Sequence, residues 1–174
     1  MRRIRYSVAA SLDGYIAGPQ GESDWIVMDP EIDFQELFGR FDTVLMGRRT
    51  FEQSRGSGEG ACGMPGMKTV VVSTTLRPRD FPDVTVIGDD LDHALTHLCE
   101  QPGKDIWLFG GGTLFRTLLS KRLVDSIEVA VIPVVLGGGV PLVNPPAPRV
   151  RLKLTSHKVY TKTGTVSLDY ALEY

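Results

Sequence analysis

The chain has 174 residues, 42% of them hydrophobic and 23% charged, with a net charge of −2 at pH 7. That size and balance suit one domain over residues 1–174 with its own core, and they give no electrostatic reason to expect a nucleic-acid or membrane partner. Cys62 and Cys99 are too few for a disulfide framework or a zinc site, and His93, His97 and His157 share no ligand spacing, so no metal is expected.

Arg5 to Ala10 reads as a first strand. It follows Arg2 and Arg3 and breaks at Ser11-Leu12-Asp13-Gly14, too soon for the apolar core of a signal peptide. With no run long enough to span a bilayer, a cytoplasmic protein is expected. Asp13-Gly14 signals a turn, and Tyr15-Ile16-Ala17 continues extended before a loop at Pro19 to Glu22. Phe34, Leu37, Phe38 and Phe41 recur at spacings of three and four, predicting a helix over Asp33 to Phe41. A strand over Thr43 to Met46 leads into a short helix from Thr50. Ser54 to Met67, with five glycines and a proline, predicts an irregular loop. Strands follow at Thr69 to Ser73 and Val84 to Ile87, then an amphipathic helix through Leu91, Ala94, Leu95, Leu98 and Cys99. Ile106 to Phe109 is a buried strand, followed by a helix through Leu114, Phe115, Leu118 and Leu119. Ser126 to Val135 is a long strand, and Leu152 to Tyr160 with Thr165 to Tyr174 form a hairpin around Thr163-Gly164. Alternating strands and helices that end in antiparallel strands predict an α/β fold: a mainly parallel sheet with an antiparallel C-terminal edge.

Three of these strands end in the same way. Phe109 runs into Gly110-Gly111-Gly112-Thr113, Met46 into Gly47-Arg48-Arg49-Thr50, and Val72 into Ser73-Thr74 with Arg77 and Arg79 just beyond. Glycine lets the backbone approach a ligand closely, and a helix N-terminus offers N–H groups and a favourable dipole to an anion. Arginine adds bidentate phosphate pairing. The third glycine of the dinucleotide fingerprint is missing after Gly112, and Gly63 to Thr69 lacks the Gly-Lys adjacency of a phosphate loop. The pattern points instead to one nucleotide cofactor held along one edge of a sheet, with the surplus of arginine suiting an adenosine 2′-phosphate.

These residues resemble the dihydrofolate-reductase-like superfamily, most closely its branch related to the reductase domain of the bifunctional riboflavin-biosynthesis protein. The resemblance rests on Ser11 to Ala17 followed by Ser23-Asp24-Trp25-Ile26, on Asp42 to Phe51, on Phe109 to Gly112, and on Ile132 to Leu142. It implies a three-layer fold with helices on both sheet faces, NADPH as hydride donor, and a homodimer. Carried over by position, Gly47, Arg48, Arg49 and Thr50 would hold the cofactor phosphates, and Ser73 and Thr74 would lie with Arg48 near the 2′-phosphate. Gly111, Gly112, Thr113 and Leu114 would wrap the pyrophosphate, with a cis peptide in the glycine pair. Ala9 and Ile16 would set backbone groups against the nicotinamide carboxamide.

For the chemistry, Asp13 is the candidate catalytic residue, polarising substrate or relaying a proton. An Asp before Gly14 also makes a turn, and both roles stay open. Glu31 and Asp33 lie near the place where folate reductases carry their pterin-binding carboxylate, and Asp33 equally suits a helix N-cap. Trp25 reads as a packing residue. The pterin-binding threonine of folate reductases aligns with Ala130, which favours the riboflavin-type branch. The resemblance therefore implies an NADPH-dependent reductase of a small pyrimidine- or pteridine-like substrate, with 5-amino-6-(5-phosphoribosylamino)uracil reduction its nearest instance. Dihydrofolate reduction and a non-catalytic NADP(H)-binding protein are the alternatives.

Overall fold

A computed structural model describes residues 1–56 and 66–174. The elements, in chain order, are β1 (Ile4–Ser11), β2 (Tyr15–Ala17), α1 (Phe34–Gly39), β3 (Phe41–Gly47), α2 (Arg48–Gly56), β4 (Lys68–Val72), β5 (Val84–Ile87), α3 (Leu91–Glu100), β6 (Asp105–Gly110), α4 (Gly112–Ser120), β7 (Ser126–Ile132), β8 (Val140–Pro141), β9 (Arg151–Tyr160) and β10 (Thr165–Glu173). Eight strands form one sheet in the order β5-β4-β3-β6-β1-β7-β10-β9. The first six run parallel, while β10 pairs antiparallel with both β7 and β9. This is the α/β fold with an antiparallel C-terminal edge that the sequence predicts.

Strand alternation sends residues to two cores. Ile4, Tyr6, Leu45, Val70, Ile106, Leu108, Ile127 and Val129 pack with Leu95 and Cys99 of α3 and with Leu114, Phe115 and Leu118 of α4. Val44, Met46, Val71 and Trp107 point the other way, onto Phe38 and Phe51. Connections that step towards β5 carry α1 and α2, and those that step back carry α3 and α4. Right-handed crossovers in opposite directions place the two pairs on opposite faces. Tyr6 stacks on Phe115 with ring centroids 3.9 Å apart, and its hydroxyl donates to the Leu142 carbonyl at 3.0 Å. Burial pushes that phenol well above its ordinary pKa.

Several boundaries differ from the sequence reading. Asp33 caps α1 by accepting from the Glu36 amide at 2.9 Å, but the helix stops at Gly39, and Phe41 opens β3 beneath Trp107 instead of closing the helix. β7 ends at Ile132 because Pro133 has no N–H for the ladder. α2 begins at Arg48 and runs to Gly56, so the predicted loop starts later than Ser54. Residues 57–65 of that segment, Cys62 among them, lie outside the described residues. The short β2–β8 ladder has no counterpart in the sequence reading.

Candidate functional site

β3 and β6 are neighbours, with Met46 opposite Gly110. From their C-terminal ends the chain leaves in opposite directions, through α2 towards β4 and through α4 towards β7. A crevice opens at such a switch point, outside the strand ends. Two helix N-termini converge there. α2 begins directly after Gly47, and α4 after Gly110-Gly111, whose peptide bond is cis. A Cβ on Gly111 would lie 3.5 Å from Thr50 Oγ1, so the two turns meet closely. Gly111 caps α4 without a side chain, and the first helical bond runs from the Phe115 amide to the Gly111 carbonyl at 3.1 Å. The amides of Gly112, Thr113 and Leu114 therefore lack helical acceptors. Neither helix carries an acid in its first turn.

The structure thus brings Gly47, Arg48, Arg49, Thr50, Gly111, Gly112, Thr113 and Leu114 into one crevice. Leu114 is buried in the first core, which leaves its backbone amide as the group that can face a ligand. Arg48 and Arg49 are exposed, and the Arg48 Nη1 pairs with Glu52 at 3.0 Å. Ser73 follows β4 beside β3. Its Oγ accepts from the Thr75 and Leu76 amides at 3.2 and 3.0 Å. Ser73 is therefore spent on shaping the turn that presents the exposed Thr74.

On the α1–α2 face the sheet continues through β1, β7, β10 and β9. Rows across this surface follow from register. One is Ser7, Glu128, Asp169 and Ser156; the next is Ala9, Ala130, Ser167 and Lys158. Ala9 and Ala130 are half-buried neighbours, so the position expected to meet the nicotinamide adjoins the one that departs from folate reductases. Ile16, on β2, packs against the first core.

Asp13 sits at the rim. Its Oδ1 accepts from the Ser11 hydroxyl at 2.6 Å and the Leu136 amide at 3.1 Å, and its Oδ2 from the Gly137 amide at 2.7 Å. The Ser11 hydroxyl contributes most to holding this carboxyl below the usual range, against partial desolvation, and the two amides add to it. The carboxylate fastens the β1–β2 turn to the segment after β7. That segment also takes the Leu12 amide on the Val134 carbonyl and gives the Leu142 amide to Gly14, both below 3 Å.

Both carboxylates expected near the pterin position have partners of their own. Asp33 caps α1 and Glu31 pairs with Lys162 at 3.3 Å. Sequence reasoning missed Asp29, which is buried. It accepts from the Glu31 amide and from both the amide and hydroxyl of Thr163, tying this loop to the β9–β10 hairpin. Desolvation would raise its pKa, but those hydrogen bonds outweigh it and hold the carboxyl below its ordinary value. Trp25 is half-buried, with Nε1 donating to the Glu22 carbonyl at 3.1 Å.

The floor also carries charge. Glu128 is 5% exposed and is held by both Arg5 and Arg40. Beside it, Asp169 makes no side-chain hydrogen bond or ion pair among the described residues. Burial, then the Glu128 charge, raises its pKa against the pull of Arg40 and Arg5. The one sequence signal for this residue was alternation, with Thr165, Ser167, Asp169 and Ala171 interleaved between Val166, Leu168, Tyr170 and Leu172. Among the described residues no cluster of His, Cys, Asp and Glu could hold a metal.

The uncharacterized protein YyaP of Bacillus subtilis is 34% identical over 97% of this chain and 94% of its own. A protein of Shewanella sp. PV-4 named for riboflavin biosynthesis superposes with a TM-score of 0.82 at 25% identity, covering all of both chains. Dihydrofolate reductase from Enterococcus faecalis, solved with NADP(H), superposes with a TM-score of 0.70 at 19% identity, covering 99% of this chain and 97% of that one. Residues 2–166, which include both glycine turns, match the RibD C-terminal domain, and the chain belongs to that family.

Proposed function

We propose that the protein is an NADPH-dependent reductase of a small pyrimidine- or pteridine-like heterocycle, most like the 5-amino-6-(5-phosphoribosylamino)uracil reductase of riboflavin biosynthesis. The observation that carries this reading is the pair of glycine-led helix N-termini meeting at the β3/β6 switch point, with no acid in either first turn and two exposed arginines beside them. The donor set fits a dinucleotide. Gly47, Thr50 and the amides of Gly111, Gly112, Thr113 and Leu114 would hold the pyrophosphate, while Arg48, Arg49 and Thr74 would face the adenosine 2′-phosphate, on a turn shaped by Ser73. Ala9 and Ile16 would orient the nicotinamide. The chemistry supplied by NADPH, when bound, is hydride donation; the chain's part is to orient, to exclude water and to bring a proton.

Asp13 acts here by position. A carboxylate that accepts three hydrogen bonds and is held below its ordinary pKa is ionised at neutral pH and has no proton to give. Its role is to hold the segment after β7 against the rim of the site. Dihydrofolate is a poorer substrate on this reading, because Ala130 offers its polar edge no hydroxyl. The protein works as a homodimer, paired through the apolar side of β9 and β10.

Titration with NADPH and separately with NADH, followed by nicotinamide and tryptophan fluorescence, tests the cofactor assignment. Clear preference for NADPH is expected. NADPH binding with no turnover of any pyrimidine or pteridine would favour a non-catalytic NADP(H)-binding protein. Binding of neither would overturn the reading.

A further inference from the structure

On the substrate-side floor, Glu128 is fully committed: its two oxygens are taken by Arg5 and Arg40. Arg5 is further occupied by Asp105 at 3.2 Å. Asp169 stands directly opposite Glu128 across the β7–β10 ladder, so both side chains rise from the same sheet face. Its backbone carbonyl accepts from the Thr155 hydroxyl at 3.0 Å, but its carboxyl has no partner among the described residues. Partial burial without a partner is costly for a carboxylate. The groups facing it are Glu128 on β7, Arg5 on β1, Arg40 between α1 and β3, Lys153, Ser156 and Lys158 on β9, and Ser7 and Ser167. Lys158 is turned aside, its Nζ 4.6 Å from the centroid of the Tyr160 ring.

Distance matters as well. Asp169 lies two strands over and two residues along from Ala9, which puts their Cα atoms roughly 12 Å apart. A one- or two-ring heterocycle reaching from Ala9 across Ala130 would bring its far edge to Asp169. An acceptor with free lone pairs, set in a half-desolvated floor, calls for N–H donors.

We propose that Asp169 is the substrate-recognition residue of this site, taking by paired hydrogen bonds a ring edge that presents adjacent N–H donors, as where an amino substituent stands beside a ring N–H in a pyrimidine or pteridine. This rests on the reductase reading and names the residue that reads the substrate. The raised pKa supports it, because a donor-rich ligand would supply the stabilisation that the free carboxylate lacks.

The test uses the NADPH-saturated protein and 2,4-diaminopyrimidine as probe, protonated at the ring nitrogen beside its 2-amino group so that the two present adjacent N–H donors, with 2,4-dimethoxypyrimidine as the same ring without N–H donors. Calorimetry is expected to show the diamino compound bound and the dimethoxy compound bound at least tenfold more weakly. Asp169→Asn is expected to weaken the diamino compound by about tenfold to a hundredfold, the loss of charge-assisted hydrogen bonds, and to leave NADPH affinity unchanged. In the unaltered protein carrying carboxyl-labelled aspartate, the Asp169 resonance is expected to titrate at lower pH once the probe is bound. Equal binding of the two compounds, an Asn variant that binds like the parent, or a carboxyl resonance indifferent to the probe would each overturn the assignment. Failure to bind NADPH at the outset would instead overturn the reductase reading.

Discussion

The Arg48 guanidinium is exposed and pairs with Glu52 one helical turn on, an arrangement worth little in water. It can swing to a phosphate beside the α2 N-terminus at small cost, and there it would make charge-assisted, bidentate hydrogen bonds. Arg48→Ala is therefore expected to weaken NADPH by about tenfold or more while changing NADH little. Fluorescence titration of both cofactors checks this, and equal weakening would remove Arg48 from the 2′-phosphate. Asp13 is anchored differently, and its pH behaviour follows from direction alone. Its folded-state pKa is depressed, so the latch to Leu136 and Gly137 is fully present above the ordinary carboxylate pKa and is lost as pH falls through the lowered value. The Leu136 and Gly137 amide resonances should hold steady above about pH 4 and shift below it. Asp13→Asn should lower turnover with cofactor affinity largely kept. Any pH dependence of turnover across roughly pH 5 to 8 should survive the substitution, because Asp13 does not titrate there. Both residues were legible in the sequence because each sits next to a glycine turn that marks its place. Asp169 and Asp29 were not, since what defines them is a partner, or the lack of one, contributed by a distant strand.

The glycines of the two turns are held by different constraints. A Cβ on Gly47 would make only ordinary contact, 3.9 Å from the Leu114 Cβ, whereas one on Gly112 would overlap the Pro141 carbonyl oxygen and Asn144 Oδ1. Gly112 is thus required by the packing of α4 against β8 and the residues that follow it. Gly139 combines a φ of +144° with a Cβ direction that meets the Ala17 carbonyl, which fixes the start of β8 against β2. Gly112→Ala is expected to push the α4 N-terminus away from Pro141, costing about 1–3 kcal/mol of stability by urea unfolding. It should also weaken NADPH, since the α4 amides move with the backbone; full stability with intact binding would show that the segment can yield. Strand ends, glycine turns and helix faces were readable because they are local patterns of period two or near four. The β2–β8 ladder was not, because its two strands hold three and two residues and gain their meaning from pairing across the chain. The helix expected over Asp33 to Phe41 ended early for a related reason. Phe41 fits the helical spacing, but a place between Trp107 and the Arg5 and Arg40 guanidiniums draws it into β3.

In the whole molecule, α3 and α4 cover their sheet face only as far as β7, and the β9–β10 hairpin extends past them with two unlike sides. The side towards α1 carries Ser156, Lys158, Ser167 and Asp169, which suits a polar substrate. Register puts Leu152, Leu154 and Val159 of β9 on the other side, opposite Leu172, Tyr170 and Val166. These three are 44%, 49% and 55% exposed, and Val135 and Tyr174 are exposed by 66% and 48%. A long apolar edge strand left in water invites pairing, and natural sheets blunt such edges or cover them. The basic residues Arg151 and Lys153 fall on the opposite side, while His157, opposite Leu168, stands between Leu154 and Val159 in the row. On the homodimer proposed above, a second copy would cover this surface, since a two-fold contact would set the row against itself. Leu154→Lys is the informative substitution because it puts like charges face to face at the centre of the row and leaves the two cores untouched. The parent chain is expected to sediment as a dimer and the variant as a monomer with its secondary structure retained. If both sediment as monomers, the apolar row serves some other purpose; if both remain dimers, the two copies meet elsewhere. Loss of the dimer with NADPH affinity intact would further show that the cofactor crevice at β3 and β6, four strands from β9, is complete within one chain.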